Sequence, residues 1–182
     1  MWDWYEWRRE LVKKAHPNPG HRALAQLGSL VPDFALITQN VDGLHARAGS
    51  ENVVELHGNI LRTKCSVEDV NVEEYEVGVS PPVCPNCGAP LRPDVVWFGE
   101  MLPSGAMEAA SASAQSCDLL LSVGTSGLVY PAAGLPREAL ACGATVVEVN
   151  LDATPLTVDT HHALRGRAGD LLPALVATAF PA

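Results

Sequence analysis

Residues 34–45 read Phe34-Ala35-Leu36-Ile37-Thr38-Gln39-Asn40-Val41-Asp42-Gly43-Leu44-His45, an apolar run that passes directly into a polar cluster. A short apolar run of this kind predicts a buried strand. The pattern recurs at Val53-Val54-Glu55-Leu56, which is followed by His57 and Gly58. Because open α/β sheets present the carboxyl ends of their strands to a ligand, we expect amide, carboxylate and imidazole groups to converge on one crevice. A histidine in such a crevice can act as an acid or base near neutral pH.

Strand and helix patterns alternate on either side of this region. The runs Leu119-Leu120-Leu121 and Val146-Val147 lack strict alternation, as expected of strands that are buried on both faces of a parallel sheet. These patterns predict an α/β fold with a doubly wound, Rossmann-like parallel sheet. The predicted helices cover residues 2–15, 19–27, 104–116, 131–141 and 170–178, with Asn18 capping the second, and the predicted strands cover residues 33–38, 53–56, 118–123 and 144–149.

The alternation breaks between Arg62 and Arg92, in a segment rich in Cys, Pro, Glu and Val. Its short alternating pieces predict a small ribbon that is inserted into the sheet domain. We therefore divide the chain into three parts. Residues 1–61 hold a helical segment and the first part of the Rossmann-like domain, residues 62–95 form the ribbon insertion, and residues 96–182 complete the domain.

The composition predicts a globular protein that binds neither nucleic acid nor membranes. The chain has 182 residues, of which 47% are hydrophobic, and this is enough for one full core. Its 12 Lys and Arg against 21 Asp and Glu give a net charge of -9, which leaves no basic stripe for nucleic acid or anionic lipid. No apolar run approaches the roughly 20 residues of a membrane span, and the first residues lack the pattern of a signal peptide. We expect a cytoplasmic location.

Two further strand ends carry groups that suit a nucleotide. Gly124-Thr125-Ser126-Gly127 follows a predicted strand directly, so its backbone N–H groups and hydroxyls could cradle phosphate or ribose. The alternative is an ordinary strand-to-helix turn, which is the more common meaning of such a stretch taken alone. Val149-Asn150-Leu151-Asp152 ends the next strand, and the Asn150 amide could reach a second ribose.

His57 has a structural alternative as well. A lone imidazole at a strand end is more often a structural histidine with satisfied hydrogen bonds than a catalytic group. Gly58, which permits close approach of a ligand, and the separate cluster at residues 39–42 favour the functional interpretation. His45 is the competing candidate, but we expect it to face the helix side.

Five motifs taken together resemble the sirtuins, a family of NAD-dependent protein-lysine deacylases, in their order and spacing. They are residues 38–45, Leu56-His57-Gly58, Val96-Trp97-Phe98-Gly99-Glu100, Gly124-Thr125-Ser126 and Val149-Asn150. The resemblance extends over the whole chain, and it implies that His57 is the general base that acts on a ribose hydroxyl of NAD. It implies further that the substrate peptide pairs as an added strand with Val96, Trp97, Phe98, Gly99 and Glu100. The residues that the resemblance assigns to NAD are Gln39, Asn40, Val41, Asp42, Gly124, Thr125, Ser126, Asn150, Leu151, Asp152 and Ala168.

The reaction that the resemblance implies consumes NAD and uses an acylated lysine of a protein or peptide as its partner. In that family, the acyl oxygen of the modified lysine attacks C1′ of the nicotinamide ribose and nicotinamide leaves. The acyl group ends on the sugar as O-acyl-ADP-ribose. His57 would deprotonate the ribose hydroxyl after nicotinamide departs. Plain deacetylation and mono-ADP-ribosyl transfer share this chemistry and remain alternatives.

Tyr5 and Arg8 indicate the class of acyl group. Three residues apart on a predicted helix, they share a face, and a phenol with a guanidinium is well matched to a carboxylate at the end of an acyl chain. Trp2 to Arg9 resembles the sirtuin branch that removes malonyl, succinyl and glutaryl groups, in which a Tyr-x-x-Arg pair recognises the acid. The alternative is an aromatic core stripe followed by a solvated arginine pair. We expect Arg9 to lie in solvent.

The sirtuin zinc ribbon uses two Cys-x-x-Cys pairs, and only one is complete here. Cys84 and Cys87 form the second pair, whereas the first has Cys65 with Glu68 in place of the fourth cysteine. Zinc accepts a carboxylate ligand, so Cys65, Glu68, Cys84 and Cys87 could form a tetrahedral site. The equal alternative is that the ion has been lost and that packing holds the ribbon.

The sirtuin fold begins with a strand and a glycine-rich loop over the NAD diphosphate, and this sequence contains neither. The first strand of a doubly wound sheet lies at its centre, so we expect its neighbours to be left with a slot between them. We accordingly expect a truncated chain with weak turnover. The second functional hypothesis is a non-catalytic module that binds a peptide or a nucleotide.

Overall fold

Two parallel sheets and one antiparallel ribbon form the framework of the protein, for which a computed structural model describes residues 1–76 and 78–181. The first parallel sheet pairs β1 with β2, the second has the order β5-β6-β7, and the ribbon pairs β3 with β4. The elements in chain order are α1 (Trp2–Lys14), α2 (Pro19–Leu30), β1 (Ile37–Thr38), α3 (Leu44–Arg47), β2 (Val54–Glu55), β3 (Gly58–Cys65), β4 (Leu91–Val95), α4 (Ser104–Ser116), β5 (Leu119–Val123), a 3₁₀ turn (Ala132–Gly134), α5 (Leu135–Ala141), β6 (Thr145–Asn150), β7 (His162–Arg165) and α6 (Ala168–Ala179).

Helices cover both faces of the parallel strands, as in a doubly wound fold. On one face, α4 and α5 pack on β2, β5 and β6 around a core that includes Leu56, Ala110, Ala139 and Val146. On the other face, α2 and α6 pack on β5, β6 and β7 around Ala23, Val149, Leu172 and Val176. The predicted fold class, an α/β fold with parallel strands, is therefore confirmed.

Asn18 and Arg9 show how the first two helices are fixed. The predicted cap is confirmed, because the Asn18 side chain accepts a hydrogen bond from the His21 backbone N–H at 3.1 Å. The prediction that Arg9 lies in solvent is wrong: the residue is only 4% exposed. Its guanidinium donates to the carbonyl of Ile60 at 2.6 Å, to that of Arg62 at 2.7 Å and to the Thr63 hydroxyl at 2.9 Å, so it joins α1 to β3.

Several predicted boundaries differ from those of the structure. The strand expected at residues 33–38 is reduced to β1, whose two residues are those that pair with β2. The helix expected at 131–141 begins as the 3₁₀ turn, and the closing helix starts two residues before the predicted position. β7 was not predicted because His162, Ala163 and Arg165 are exposed, as is common on an edge strand.

Neither β1 nor β5 has a strand paired to its second edge in the part of the chain that the structure describes. Leu119, at the start of β5, is accordingly 54% exposed. This break between the two parallel sheets agrees with the expected slot.

None of the helices within residues 1–76 and 78–181 has the length and apolar character needed to cross a membrane.

The ribbon insertion has its own small core, formed by Cys65, Val72, Cys84 and Leu91. Val77, within the predicted insertion, lies outside the described residues. The ribbon approaches the sheet at Gly58, which has a φ of +77°. A Cβ atom added to Gly58 would lie 2.2 Å from the Asp94 carbonyl oxygen, so only glycine permits the pairing of β3 with β4 there. The three-part division of the chain stays a prediction.

Candidate active site at the carboxyl edge of the sheets

His57 lies between β2 and β3, beside the residues that follow β1. Its Nδ1 atom is 2.9 Å from the carbonyl oxygen of Gln39. A carbonyl oxygen only accepts hydrogen bonds, so Nδ1 carries a proton and donates it. The neutral imidazole then has its lone pair on Nε2. The fold thus selects the tautomer that leaves one nitrogen free to take a proton.

Gln39 brings the ends of the two parallel sheets together. Its side-chain Nε2 donates to the Thr125 hydroxyl at 3.3 Å, which places the loop after β1 against the turn after β5. The same hydroxyl accepts from the Gly127 backbone N–H at 3.3 Å. Two stretches predicted to hold NAD, residues 39–42 and 124–126, therefore meet at the same edge.

The remaining residues of the first polar cluster have defined partners. The Asn40 N–H donates to the Thr38 hydroxyl, and the Val41 carbonyl accepts from the Ile60 N–H at 2.8 Å. Asp42 accepts from the Leu44 N–H at 2.9 Å, at the start of α3. The Asn40 residue is exposed, whereas Val41 and Asp42 are partly buried. Backbone bonds thus fix the loop.

His45 faces α2, as expected, with its ring centroid 4.7 Å from that of His21. Burial lowers the pKa of His45, and the neighbouring His21 lowers it further, while Asp42 acts in the opposite direction. Burial also lowers the pKa of His21. Burial thus favours the neutral form of both imidazoles, which lie at the helix side of the loop.

A cavity of about 540 Å³ lies at the carboxyl edge of β5 and β6. Gly124, Asn150, Leu151 and Ala168, all predicted to hold NAD, line it together with residues 18–19, 149, 166–167 and 169–170. Its size is within the range of small-molecule and cofactor sites. Gly124, with a φ of +62°, allows the chain to turn sharply at the end of β5.

Asn150 has a structural role that the sequence did not indicate. Its Nδ2 donates to the Thr125 carbonyl at 2.8 Å, and its Oδ1 accepts from the Leu151 N–H at 2.9 Å. The amide therefore ties the turn after β5 to the turn after β6. Ser126 and Asp152 are exposed beside these turns, and the Asp152 carbonyl accepts from Arg165 at 3.0 Å.

A charged bridge braces the backbone around His57. Arg62 donates to Glu55 at 2.6 Å and to Asp94 at 2.8 Å, which joins the end of β2 to β4. Glu55 also accepts from the Asn59 amide at 2.7 Å. The segment from Glu55 to Asn59, which carries His57, is thus held from both ends. Arg62 was not predicted from the sequence, because its partners lie on two other strands, β2 and β4.

Residues 96–100 form a turn rather than a continuous strand. β4 ends at Val95, and the Glu100 N–H donates to the Trp97 carbonyl at 3.0 Å, with Gly99 at a φ of +88°. Phe98 is 97% exposed at the tip of this turn. Because of this turn, residues 96–100 do not form one extended segment with which a peptide strand could pair along its whole length.

An arginine clamp fixes this turn against α1. Arg92 binds the Glu100 carboxylate through two hydrogen bonds, of 2.5 and 2.9 Å, and its guanidinium lies 3.5 Å from the centroid of the Trp97 ring. Arg92 lowers the pKa of Glu100 to about 2, against a smaller effect of burial. On its other side, Trp97 stacks with Tyr5 at a centroid distance of 6.5 Å and donates its indole N–H to the Tyr5 oxygen at 2.7 Å.

Arg8 and Tyr5 differ in their surroundings. Tyr5 is partly buried against Trp97, whereas Arg8 is exposed, with its guanidinium 5.2 Å from the Trp4 ring centroid. The predicted acid-binding pair therefore combines one fixed phenol with one cation that remains available on the surface. This environment differs from that of Arg9, whose donors are occupied by protein oxygens.

The four predicted metal ligands converge in the ribbon. The ligand atoms of Cys65, Glu68, Cys84 and Cys87 all lie within 4.8 Å of one another. The Cys65 and Cys87 sulfurs are 3.4 Å apart, and Cys84 Sγ lies 3.7 Å from a Glu68 oxygen. Ligands at about 2.3 Å from a tetrahedral zinc ion are separated by about 3.8 Å, so these spacings fit. Hydrogen bonds from the Glu68 and Val67 N–H groups lower the pKa of Cys65, which favours the thiolate that zinc requires.

Comparison with known proteins places the chain in one family. The model of the Sir2 family matches residues 1–131. NAD-dependent protein deacylase 2 of Pyrobaculum aerophilum is 51% identical over 177 residues, which cover 97% of this chain and 71% of that protein. The crystal structure of a Sir2 homolog–NAD complex matches with a TM-score of 0.91 and 43% identity, over 97% of this chain and 70% of the other. A structure of Sir2 bound to acetylated peptide matches with a TM-score of 0.85 and 33% identity, over 92% of this chain and 73% of the other.

The matched region contains the polar clusters after β1 and β2, the ribbon and the turn after β5, whereas Asn150, Leu151 and Ala168 at the cavity lie beyond it. The family model matches most of the chain, and the first relative named above shares about half of its residues with it. Both findings exceed what a shared fold alone would require. The chain therefore belongs to the Sir2 family.

Proposed function

We propose that the protein removes acyl groups from lysine side chains of proteins with consumption of NAD, and that it prefers succinyl and malonyl groups. NAD-dependent deacylation is supported by the family and by a relative that is 51% identical. The observation that carries the proposal is the placement of His57, whose Nδ1 donates to Gln39 and whose Nε2 is left free at the carboxyl edge of the sheets.

His57 is the general base in this proposal. A free imidazole nitrogen can accept a proton from a ribose hydroxyl, provided that the hydroxyl lies within hydrogen-bond distance. The Gln39 carbonyl keeps the ring in the required tautomer, and the Arg62 bridge holds the backbone on either side. Residues 39–42 would line the nicotinamide and ribose end of the site.

The cavity at β5 and β6 would hold the adenosine half of NAD. Glycines at positions 124, 166 and 169 line it without side chains, so a nucleotide could approach the backbone closely. Ala168 and Gly169, which begin α6, line the cavity, and the first N–H groups of a helix have no partner within the helix. NAD supplies the sugar that receives the acyl group and the nicotinamide that leaves.

The preference for acidic acyl groups is attributed to Tyr5 and Arg8. The Tyr5 oxygen already accepts the Trp97 indole N–H, so its own O–H is free to donate to another acceptor. Arg8 adds a guanidinium three residues further along the same helix, and guanidinium and carboxylate groups bind each other strongly. A carboxylate at the end of a succinyl or malonyl chain satisfies both donors, whereas an acetyl group satisfies neither.

The acyl-lysine peptide would bind along the turn at residues 96–100. The exposed Phe98 ring offers an apolar surface, and the Arg92–Glu100 clamp keeps the turn in one conformation. A related protein binds an acetylated peptide, which supports a peptide substrate of this kind. In the ribbon, zinc bound by Cys65, Glu68, Cys84 and Cys87 would act as a structural cross-link, since all four positions are filled by the protein.

The proposal is tested by nicotinamide release from the 182-residue chain with NAD and succinyl-, malonyl- or acetyl-lysine peptides. We expect release to be fastest with the two acidic peptides and to be abolished in His57→Ala. His16→Ala, which removes an exposed histidine at the end of α1, is the matched control and keeps the activity. Arg8→Met should lose activity on succinyl peptide selectively, whereas Lys14→Met, which removes a charge from the same helix, should not.

Each other outcome points to a different function. Turnover that persists in His57→Ala would contradict the assignment of the base. Equal rates on acetyl and succinyl peptides would indicate a plain deacetylase, and labelled ADP-ribose attached to protein would indicate mono-ADP-ribosyl transfer. Binding of peptide and ADP-ribose in calorimetry without any nicotinamide release would establish the non-catalytic module instead.

A further inference from the structure

A buried carboxylate, that of Glu148, lies in the middle of β6. β6 is the central strand of the β5-β6-β7 sheet, and Glu148 is only 1% exposed. An ionised carboxylate away from water is unfavourable unless charged or hydrogen-bonding partners surround it. Glu148 lies outside the five motifs shared with the sirtuins, so its burial has a separate cause.

Glu148 has three partners that satisfy its oxygens. Oε1 accepts a short hydrogen bond from the Thr154 hydroxyl, and Oε2 accepts from the Thr157 hydroxyl at 2.6 Å and from Arg165 at 2.7 Å. Burial raises the pKa of Glu148, but the bonds from Thr154, Thr157 and Arg165 together outweigh it and lower the pKa. Glu148 is therefore an ionised carboxylate whose partners all come from other segments of the chain.

Those partners adjoin two of the segments that line the 540 Å³ cavity, those at residues 149–151 and 166–170, without lining it themselves. Thr154 and Thr157 lie in the loop that follows Asn150 and Leu151, and Arg165 directly precedes Gly166 and Arg167. Arg165 also donates to the Asp152 carbonyl at 3.0 Å, and the Gly166 N–H donates to the Asn150 carbonyl at 3.1 Å. The Glu148 carboxylate thus connects the loop after β6 to the end of β7.

The loop that Glu148 holds has few apolar anchors. Leu156 is buried, whereas Leu151 is 63% exposed and Val158 is 87% exposed. A loop with so little buried apolar surface depends on polar contacts for its position. The same loop reaches the turn after β5, because a Cβ added to Gly127 would lie 3.9 Å from the Thr154 hydroxyl oxygen.

We propose that Glu148 is a positioning residue for nucleotide binding: it holds residues 151–157 and 165–168 at the separation that the adenosine half of NAD requires, without touching the nucleotide. This role rests on one part of the proposed function, namely that the cavity binds the adenosine half of NAD. Arg165 contributes by joining the carboxylate to the Asp152 carbonyl.

Calorimetry with ADP-ribose as the probe tests this role, because binding requires no turnover. We expect Glu148→Gln and Arg165→Met each to weaken ADP-ribose binding by about tenfold, the effect of losing one charge-assisted hydrogen bond. In steady-state assays, KM for NAD should rise while KM for the acyl peptide stays unchanged. Glu138→Gln is the matched control: this carboxylate on α5 accepts from the Ser111 hydroxyl, away from the cavity, and ADP-ribose binding should be unchanged.

The outcomes separate the two proposals. Wild-type protein that binds ADP-ribose but releases no nicotinamide would contradict the proposed catalysis and leave the role of Glu148 intact. ADP-ribose affinity within twofold of wild type in folded Glu148→Gln and Arg165→Met would overturn the positioning role alone. Equal increases in both KM values would also overturn it, because they would indicate general destabilisation. Arg165→Met changes a side chain that is 33% exposed and keeps the test open if Glu148→Gln fails to fold.

Discussion

At the scale of single residues, two neighbouring arginines differ in their exposure to solvent. Arg8 and Arg9 follow each other on α1, yet Arg8 is exposed and Arg9 is among the most buried polar residues. Arg9 was predicted to be the exposed arginine, because helix periodicity alone does not show which arginine lies next to hydrogen-bond acceptors. Those acceptors lie 51 to 54 residues away, on β3. The same limitation applies to Arg62, whose partner Asp94 lies 32 residues away on β4.

The first prediction concerns this arginine pair. We expect Arg9→Ala to lower the free energy of unfolding by about 3 kcal/mol, because it leaves two carbonyls and a hydroxyl without their buried donor. Arg8→Ala removes only a surface contact with Trp4, and we expect a loss below about 1 kcal/mol. Urea denaturation of both variants provides the comparison, and equal losses would contradict the structural role of Arg9.

A second prediction concerns the Trp97 indole N–H. Trp97→Phe keeps the ring against Tyr5 and Arg92 but removes the hydrogen bond to the Tyr5 oxygen. The phenol then loses its fixed orientation, so the ratio of kcat/KM for succinyl over acetyl peptide should fall about two- to tenfold. Trp7→Phe is the matched control, since Trp7 is 57% exposed on α1. An unchanged ratio in Trp97→Phe would show that the indole does not influence selectivity.

At the scale of secondary-structure elements, patterns of buried residues were the most reliable guide. Helices α2 and α4 and strands β5 and β6 lie close to their predicted positions, because each contributes apolar residues to one of the two cores or to both. Helix α1 also lies close to its predicted position, although its buried residue is Arg9. β1 and β2 are shorter than predicted, since only the paired residues count as strand and few of them have a partner. The turn at residues 97–100 was not predicted, because its closure depends on the Arg92–Glu100 bond, which the local sequence does not reveal.

That turn gives the third prediction, which concerns pH. The pKa of Glu100 falls from about 4.3 in an unfolded chain to about 2 in the folded one, mainly through Arg92. A lowered folded-state pKa means that the bond stabilises the protein fully above the unfolded value and that this contribution is lost as the pH falls towards 2. The difference in melting temperature between wild type and Glu100→Gln should therefore shrink between about pH 5 and pH 2. A difference in melting temperature that stays constant over this pH range for Glu100→Gln would contradict the assignment.

The ribbon gives the fourth prediction. We expect the purified protein to contain about one zinc ion per chain, and Cys84→Ser to contain none. Glu68→Gln should release zinc to a chelator at least about tenfold faster, because a carboxamide is a weaker ligand. Cys142→Ser, which changes an exposed cysteine outside the cluster, should retain the metal. Mass spectrometry measures the zinc content of each purified protein. A wild-type protein without metal would indicate that packing alone holds the ribbon together.

At the scale of the whole molecule, the order of polar clusters along the chain predicted where the site lies. In a parallel sheet, every strand ends at the same edge, so His57, Gln39 and Thr125 could be expected together although they are 86 residues apart at most. What each side chain does at that edge was less predictable. Asn150 was expected to bind ribose, but its amide is occupied by backbone groups of the two turns.

One edge of β1 and one edge of β5 pair with no strand of the described residues, 1–76 and 78–181, and these free margins have a practical consequence for handling the protein. Their main-chain amides and carbonyls in residues 37–38 and 119–123 offer a template on which an extended segment of a second molecule can add. Self-association should therefore increase with concentration, and sedimentation velocity will detect it as a rising weight-average mass. A lysine in place of Leu119 should suppress the effect through charge repulsion. A constant monomer mass at every concentration would show that these margins are shielded in solution.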